Sequence, residues 1–199
     1  MKIIEYTYIF SAAYFMLLLT KRFKDRANIA MLIIAILFFL ITFRSNLINS
    51  DAMSYVYYFK NVKYFSSLNE LLGSTAFRIE HGYRVLLYFI PTITIFNNDI
   101  YIYKLVLSII NTLIFYQIFI EWKKESIKGF EVFVFFYLSF FIAIFELAII
   151  RFSLASSFFI LAYHYLIFKN NKMKALFVFI IAASLHYAIA ITGVIYVYF

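Results

Sequence analysis

Cysteine is absent from the 199 residues, which excludes disulfide bonds, thiolate metal sites and a cysteine nucleophile. Charge is scarce: 14% of residues are Asp, Glu, Lys or Arg, against roughly a quarter in ordinary soluble domains. Also missing are the HExxH, GxGxxG and Walker-loop patterns and any paired-aspartate metal cluster, so nucleotide use and metal catalysis have no support and no cofactor is expected. Period-2 alternation of apolar and polar residues is lacking too, which argues against a membrane β-barrel.

Apolar residues are what the chain has in excess, at 65% of the sequence with a mean hydropathy of +0.89. A water-soluble fold of this size could not hide so much apolar surface. In hydrocarbon the backbone polar groups must be satisfied within the chain, which leaves helices as the spanning elements. The net charge of +8 would suit a nucleic acid. However, the lysines and arginines stand in short clusters between apolar runs, as in cytoplasmic loops, so the expected partner is the lipid bilayer and not nucleic acid.

Six apolar runs, at 3–20, 27–43, 100–120, 130–150, 152–168 and 175–199, each approach the length that crosses about 30 Å of hydrocarbon. The predicted fold class is all-α: a polytopic transmembrane helical bundle, one integral membrane domain over residues 1–199. Ser11-Ala12-Ala13 is followed by further apolar residues, so the first run reads as a retained helix and not a cleaved signal peptide. A seventh run, 85–96, is short and contains Pro91, which predicts a re-entrant or interfacial segment.

Positive clusters set the orientation: Lys21, Arg22, Lys24 and Arg26; Lys123, Lys124 and Lys128; Lys169, Lys172 and Lys174. All three fall on the cytoplasmic side if 85–96 does not cross. Both termini and the stretch 44–99 then lie outside. That stretch carries Tyr55, Tyr57, Tyr58, Tyr64 and Phe65, aromatics that disorder would not favour, and it is expected to form an ordered extracytoplasmic subdomain. The sequence stops inside an apolar run at Tyr196-Val197-Tyr198-Phe199, so a longer protein is expected.

Ionisable residues at or inside a bilayer are costly unless partnered or functional. Arg44 either snorkels to the interface or serves a site; Asp51 and Tyr55 follow at i+7 and i+11 and share its face if the second helix extends outward. Arg151 interrupts a long apolar stretch in which Glu131 and Glu146 are the other charges. It either snorkels or offers its bidentate fork to a phosphate. His186 either bonds a neighbouring helix or acts as a general base, whereas His164, near the cytoplasmic end, is expected to be structural. Glu80 is a solvated carboxylate, a helix cap or a binding residue.

Four motifs carry a resemblance: Arg44 with Asp51 and Tyr55; Glu80-His81-Gly82-Tyr83; Ile150-Arg151-Phe152-Ser153-Leu154-Ala155; and Ala182-Ala183-Ser184-Leu185-His186. In this order the chain resembles the EpsG family of bacterial membrane proteins, related in role to Wzy-type polysaccharide polymerases. It departs from the family pattern at Asn49, where glycine is usual, and at Phe152, where glutamine is common. The resemblance implies a glycosyltransferase-type polymerase of the bacterial cytoplasmic membrane that joins polyprenyl-diphosphate-linked oligosaccharide repeat units at the outer face. The product would be exopolysaccharide, capsule or O-antigen. His186 and Asp51 are the candidate catalytic residues, and Arg44, Arg151, Glu80 and Tyr55 the candidate substrate-binding residues. Chain-length and export proteins are the implied protein partners. Two alternatives stay open: a transporter or flippase of lipid-linked sugars, which should show broken helices or two similar halves, and a non-catalytic assembly protein of the same pathway.

Overall fold

A computed structural model describes residues 50–93, 100–124 and 150–191. The runs 3–20 and 27–43, Arg44 and nearly all of 130–150 lie outside the described residues. What is described is helical, with no strand among the described residues. Helix α1 is Ser50–Asn61, followed by a 3-10 turn at Val62–Tyr64. Helix α2 is Leu68–Gly73, α3 His81–Ile93, α4 Ile100–Lys124, α5 Ile150–Ile167 and α6 Lys172–Leu185.

Local sequence accounts for several boundaries. Ser67 caps α2, its hydroxyl accepting from the Glu70 N–H at 3.2 Å. The Glu70 carboxylate reaches back to the Ser66 N–H at 2.9 Å and its hydroxyl at 2.8 Å. This reciprocal arrangement holds a six-residue helix that propensity alone would not. Helix α3 runs through Pro91, which cannot donate to the Leu87 carbonyl. The α5–α6 hairpin closes on Asn170, the described non-glycine residue with positive φ, at 45°. There the Asn171 N–H reaches back to the Tyr165 carbonyl at 2.9 Å, and asparagine takes the left-handed position that ends the helix. The Asn171 side chain then caps α6 by accepting from the Lys174 N–H at 3.0 Å.

Helices α5 and α6 form the most extensive contact, α4 packs on α5, and α3 lies against both α4 and α6. The main core gathers Tyr55 and Phe59 from α1, Tyr83 and Leu87 from α3, and Tyr103 and Leu107 from α4, closed by Leu154, Ala155 and Ala182. A smaller cluster of Ile114, Ile118 and Leu161 seals α4 to α5 at the other end.

Two expectations change. The described part of the short segment placed at 85–96, residues 85–93, belongs to a helix that starts earlier, at His81. The run 175–199 is not one continuous helix, because α6 stops at Leu185 and His186 takes extended backbone angles, φ −156° and ψ 120°. A new helical stretch follows over 187–191. Among the described residues no helix is long and apolar enough to cross a membrane. Helix α6 has 14 residues. Helices α4 and α5 are interrupted by Lys104, Asn111 and Gln117 and by Arg151, His164 and three serines.

Candidate functional site

The site forms where α1, α3, α5 and the end of α6 meet, and a buried arginine builds one side of it. Arg84, in the first turn of α3, is almost wholly enclosed. Its Nε donates to the Ile79 carbonyl at 3.0 Å. Nη1 donates to Leu71, Leu72 and Ser74 at 3.0, 2.8 and 2.8 Å, and Nη2 to Phe77. A guanidinium carries five donors in a fixed fork, and here the α2–α3 connection is wrapped around them. Two of the carbonyls belong to the last turn of α2, where the helix dipole favours a cation. The next residue after this ring of carbonyls is Glu80.

Glu80 is therefore delivered to a fixed place. Its carboxylate does not cap α3 and is not a solvated surface group: one oxygen pairs with Arg151 Nη1 and the other accepts from the Tyr187 N–H at 3.4 Å. Side-chain exposure is 20% for Arg151 and 13% for Glu80. Salt screens a half-buried pair far less than a surface one. Glu80 thus ties α5 to the break after α6.

Arg151 does not snorkel. Its Nε donates to the Tyr55 hydroxyl at 3.4 Å, and its guanidinium lies 5.7 Å from the Tyr55 ring centroid and 5.9 Å from that of Tyr83, within cation–π range. Burial works against the Arg151 charge, but the Tyr55 hydroxyl and the Glu80 carboxylate outweigh it and hold its pKa above the ordinary value. Tyr83 is fully buried between Tyr55 at 5.9 Å and Tyr103 at 6.4 Å. Burial pushes the Tyr83 phenol well above its usual pKa, so it stays neutral. The fork that the sequence offers to a phosphate is thus engaged by Glu80 and Tyr55.

His186 sits in the break itself. Its backbone N–H closes α6 on the Ala182 carbonyl at 3.2 Å, its carbonyl accepts from the Ile189 N–H at 3.1 Å, and its Nδ1 accepts from the Ala188 N–H at 3.2 Å. The imidazole stacks on Tyr187 and meets Phe152 edge-on, both at 5.2 Å. Phe152 therefore packs against the histidine. Glu80 and Arg151 are near enough to act on His186 electrostatically.

The junction is close because Gly82 has no side chain: a Cβ there would stand 2.8 Å from the Ser184 backbone carbon, closer than real Cβ atoms approach. Beside the polar cluster, α3, α4, α5 and α6 enclose an apolar crevice of about 300 Å³ whose walls include Gly82, Leu86, Leu154, Phe158 and Ser184.

Of the six residues singled out from sequence, Tyr55, Glu80, Arg151 and His186 come together. Arg44 lies outside the described residues. Asp51 stands in the first turn of α1, one turn before Tyr55, and its side chain is not among those described. His164 is buried in the α5 core, stacked on Phe168. Arg84 was not legible from sequence as an organiser; the only signal was its place directly after Glu80-His81-Gly82-Tyr83. Among the described residues no group of three or more His, Asp or Glu side chains is placed to hold a metal.

Searches of curated proteins and of solved structures return no significant match. The model of the EpsG family matches residues 28–199, a range that contains every residue of this site, and the chain belongs to the EpsG family.

Proposed function

We propose that the chain is a polytopic protein of the bacterial cytoplasmic membrane that polymerises lipid-linked oligosaccharide repeat units at the outer face. The observation that carries this reading is the convergence of Arg151, Glu80, Tyr55 and His186 from four elements far apart in sequence. In a polyprenyl-diphosphate donor, the diphosphate leaves with the bonding electrons, and a guanidinium with a planar fork is suited to the developing charge. Arg44 would add a second positive charge. The acceptor hydroxyl must lose a proton, which needs a group able to take it.

Membrane residence is supported by the outer surfaces of the described helices. Met173, Leu176, Phe177, Ile180 and Ile191 form an exposed apolar stripe along α6 and beyond it, and Ile109, Leu113 and Tyr116 form another on α4. In water such stripes would be association surfaces; against lipid they are ordinary. The proposed topology has about six spans and both termini outside. The 44–99 region is also outside, with 85–96 at the membrane surface or re-entrant, and the lysine clusters are cytoplasmic.

One observation favours the second reading, a transporter of lipid-linked sugars: the helix broken at His186 is the kind of discontinuity on which transporters build binding sites. The two separate in proteoliposomes. A polymerase supplied with lipid-linked repeat unit on the face carrying Glu80 makes polymer without moving lipid, whereas a transporter moves lipid and makes none.

A further inference from the structure

The break at His186 has a chemical consequence. His186 closes α6 with its backbone N–H and caps the helical stretch 187–191 with its imidazole, whose Nδ1 accepts the Ala188 N–H at 3.2 Å. An N-cap must offer a lone pair to the N2 or N3 amide. A neutral imidazole has one lone pair and one N–H. With Nδ1 accepting, the proton resides on Nε2, and the ring has no lone pair left to take a proton from a substrate. To act as a base through Nε2, His186 would need a proton on Nδ1, facing the Ala188 N–H, and the helix start would lose its cap. Edge-on contact with Phe152 and stacking on Tyr187 hold the ring in this pose.

Glu80 has the complementary character. Its two oxygens are held by groups that only donate, Arg151 and the Tyr187 N–H, so both act as acceptors and the carboxylate occupies the fork an anionic substrate would claim. Arriving diphosphate competes for Arg151 and loosens Glu80, freeing its acceptor oxygens beside the bound donor.

Resting on the polymerase reading, we infer that His186 acts as a neutral hydrogen-bond donor through Nε2–H and that Glu80 is the proton acceptor. In the transfer step the acceptor hydroxyl oxygen bonds to the anomeric carbon of the donor. The bond from that carbon to the diphosphate oxygen breaks, and the electron pair leaves with the diphosphate, which Arg151 holds. The hydroxyl proton passes to Glu80. His186 Nε2–H bonds a leaving-group oxygen and is not consumed.

The test uses the full-length protein in nanodiscs. Glutamine at 186 can place an amide N–H near the Nε2 position but cannot act as a base, while asparagine keeps a capping oxygen and falls short of that position. His186→Gln should retain a measurable share of wild-type turnover, and His186→Asn should lose at least tenfold more at equal abundance. Equal inactivity of both, in folded protein, would overturn the donor role. Glu80→Gln should lower kcat at least a hundredfold while inorganic diphosphate binds as well as or better than to wild type, because glutamine competes less for Arg151. Weakened diphosphate binding with kcat unchanged would overturn the base role, and Asp51 would then be the acceptor to examine. Nitrogen NMR of the imidazoles reads the tautomer without turnover, with His81→Gln and His164→Gln variants assigning the signals. A proton on Nδ1 of His186 would overturn the inference even in an active polymerase. An Nε2–H signal in a protein that makes no polymer would leave the tautomer standing and remove the polymerase reading instead.

Discussion

Replacing Arg84 tests the claim that one buried guanidinium builds the Glu80 side of the site. Its donors reach five backbone carbonyls, of which those of Leu71, Phe77 and Ile79 are buried and those of Leu72 and Ser74 partly so. A buried acceptor left unmet costs about 1–3 kcal/mol, and three of them set a loss of about 3 kcal/mol for Arg84→Met even if water rescues the other two. Arg84→Lys keeps the charge, but an ammonium has three donors on a flexible stem and cannot span five carbonyls, so it should recover less than half of that loss. The α2–α3 connection would loosen and Glu80 with it. Protease cleavage within 74–80, measured in nanodiscs alongside the melting temperature, should rise sharply in both variants. Wild-type protection and melting in Arg84→Lys would refute the reasoning, since charge alone would then suffice.

Gly82→Ala places a Cβ against Ser184 and must push α3 from α6; after the gain in helix propensity, about 1–2 kcal/mol of destabilisation should remain, read as a lower melting temperature that Ser184→Gly partly restores. The Glu70 carboxylate is held below its ordinary value of 4.5 by the Ser66 hydroxyl and N–H, so its support of α2 is present above that value and lost as the pH falls through the lower folded one. The protection of amides within 68–73, corrected for the intrinsic pH dependence of exchange, should fall over that acid range in wild type and stay constant there in Glu70→Gln. Because the chain has no cysteine, single cysteines at positions 24, 124 and 172 give a clean topology test. All three should resist an impermeant thiol reagent in intact cells, and labelling at 24 alone would show that 85–96 crosses.

Helical class was legible because apolar runs without alternation leave no other solution in lipid. The site was legible in part: Arg151 and His186 announce themselves as polar groups where apolar ones are expected, and Glu80 and Tyr55 stand in the short motifs that carry the family resemblance. Their mutual pairing was hidden, because Glu80 and Arg151 lie 71 positions apart and no local rule joins them. The break at His186 was hidden for a different reason. Hydropathy over 175–199 is uniform, and a histidine that closes one helix with its backbone N–H and caps the next with its ring has no signature in a window average. Arg84 escaped because its five partners are backbone carbonyls, which every sequence has; only the folded loop shows why an arginine is needed. Phe152 drew notice as a departure from the family pattern, and the structure shows what it touches, the edge of His186.

Central to the account is that Arg151 holds the diphosphate by the geometry of its fork and not by charge alone. Full-length protein in proteoliposomes, given lipid-linked repeat units on the face carrying Glu80, should produce a polymer ladder on gels. Arg151→Lys at equal membrane abundance should lose at least nine-tenths of it, on the order of the 1.4 kcal/mol that a tenfold change represents. A wild-type ladder from Arg151→Lys would contradict the account and leave the Glu80–Arg151 pair as a structural tie between α3 and α5.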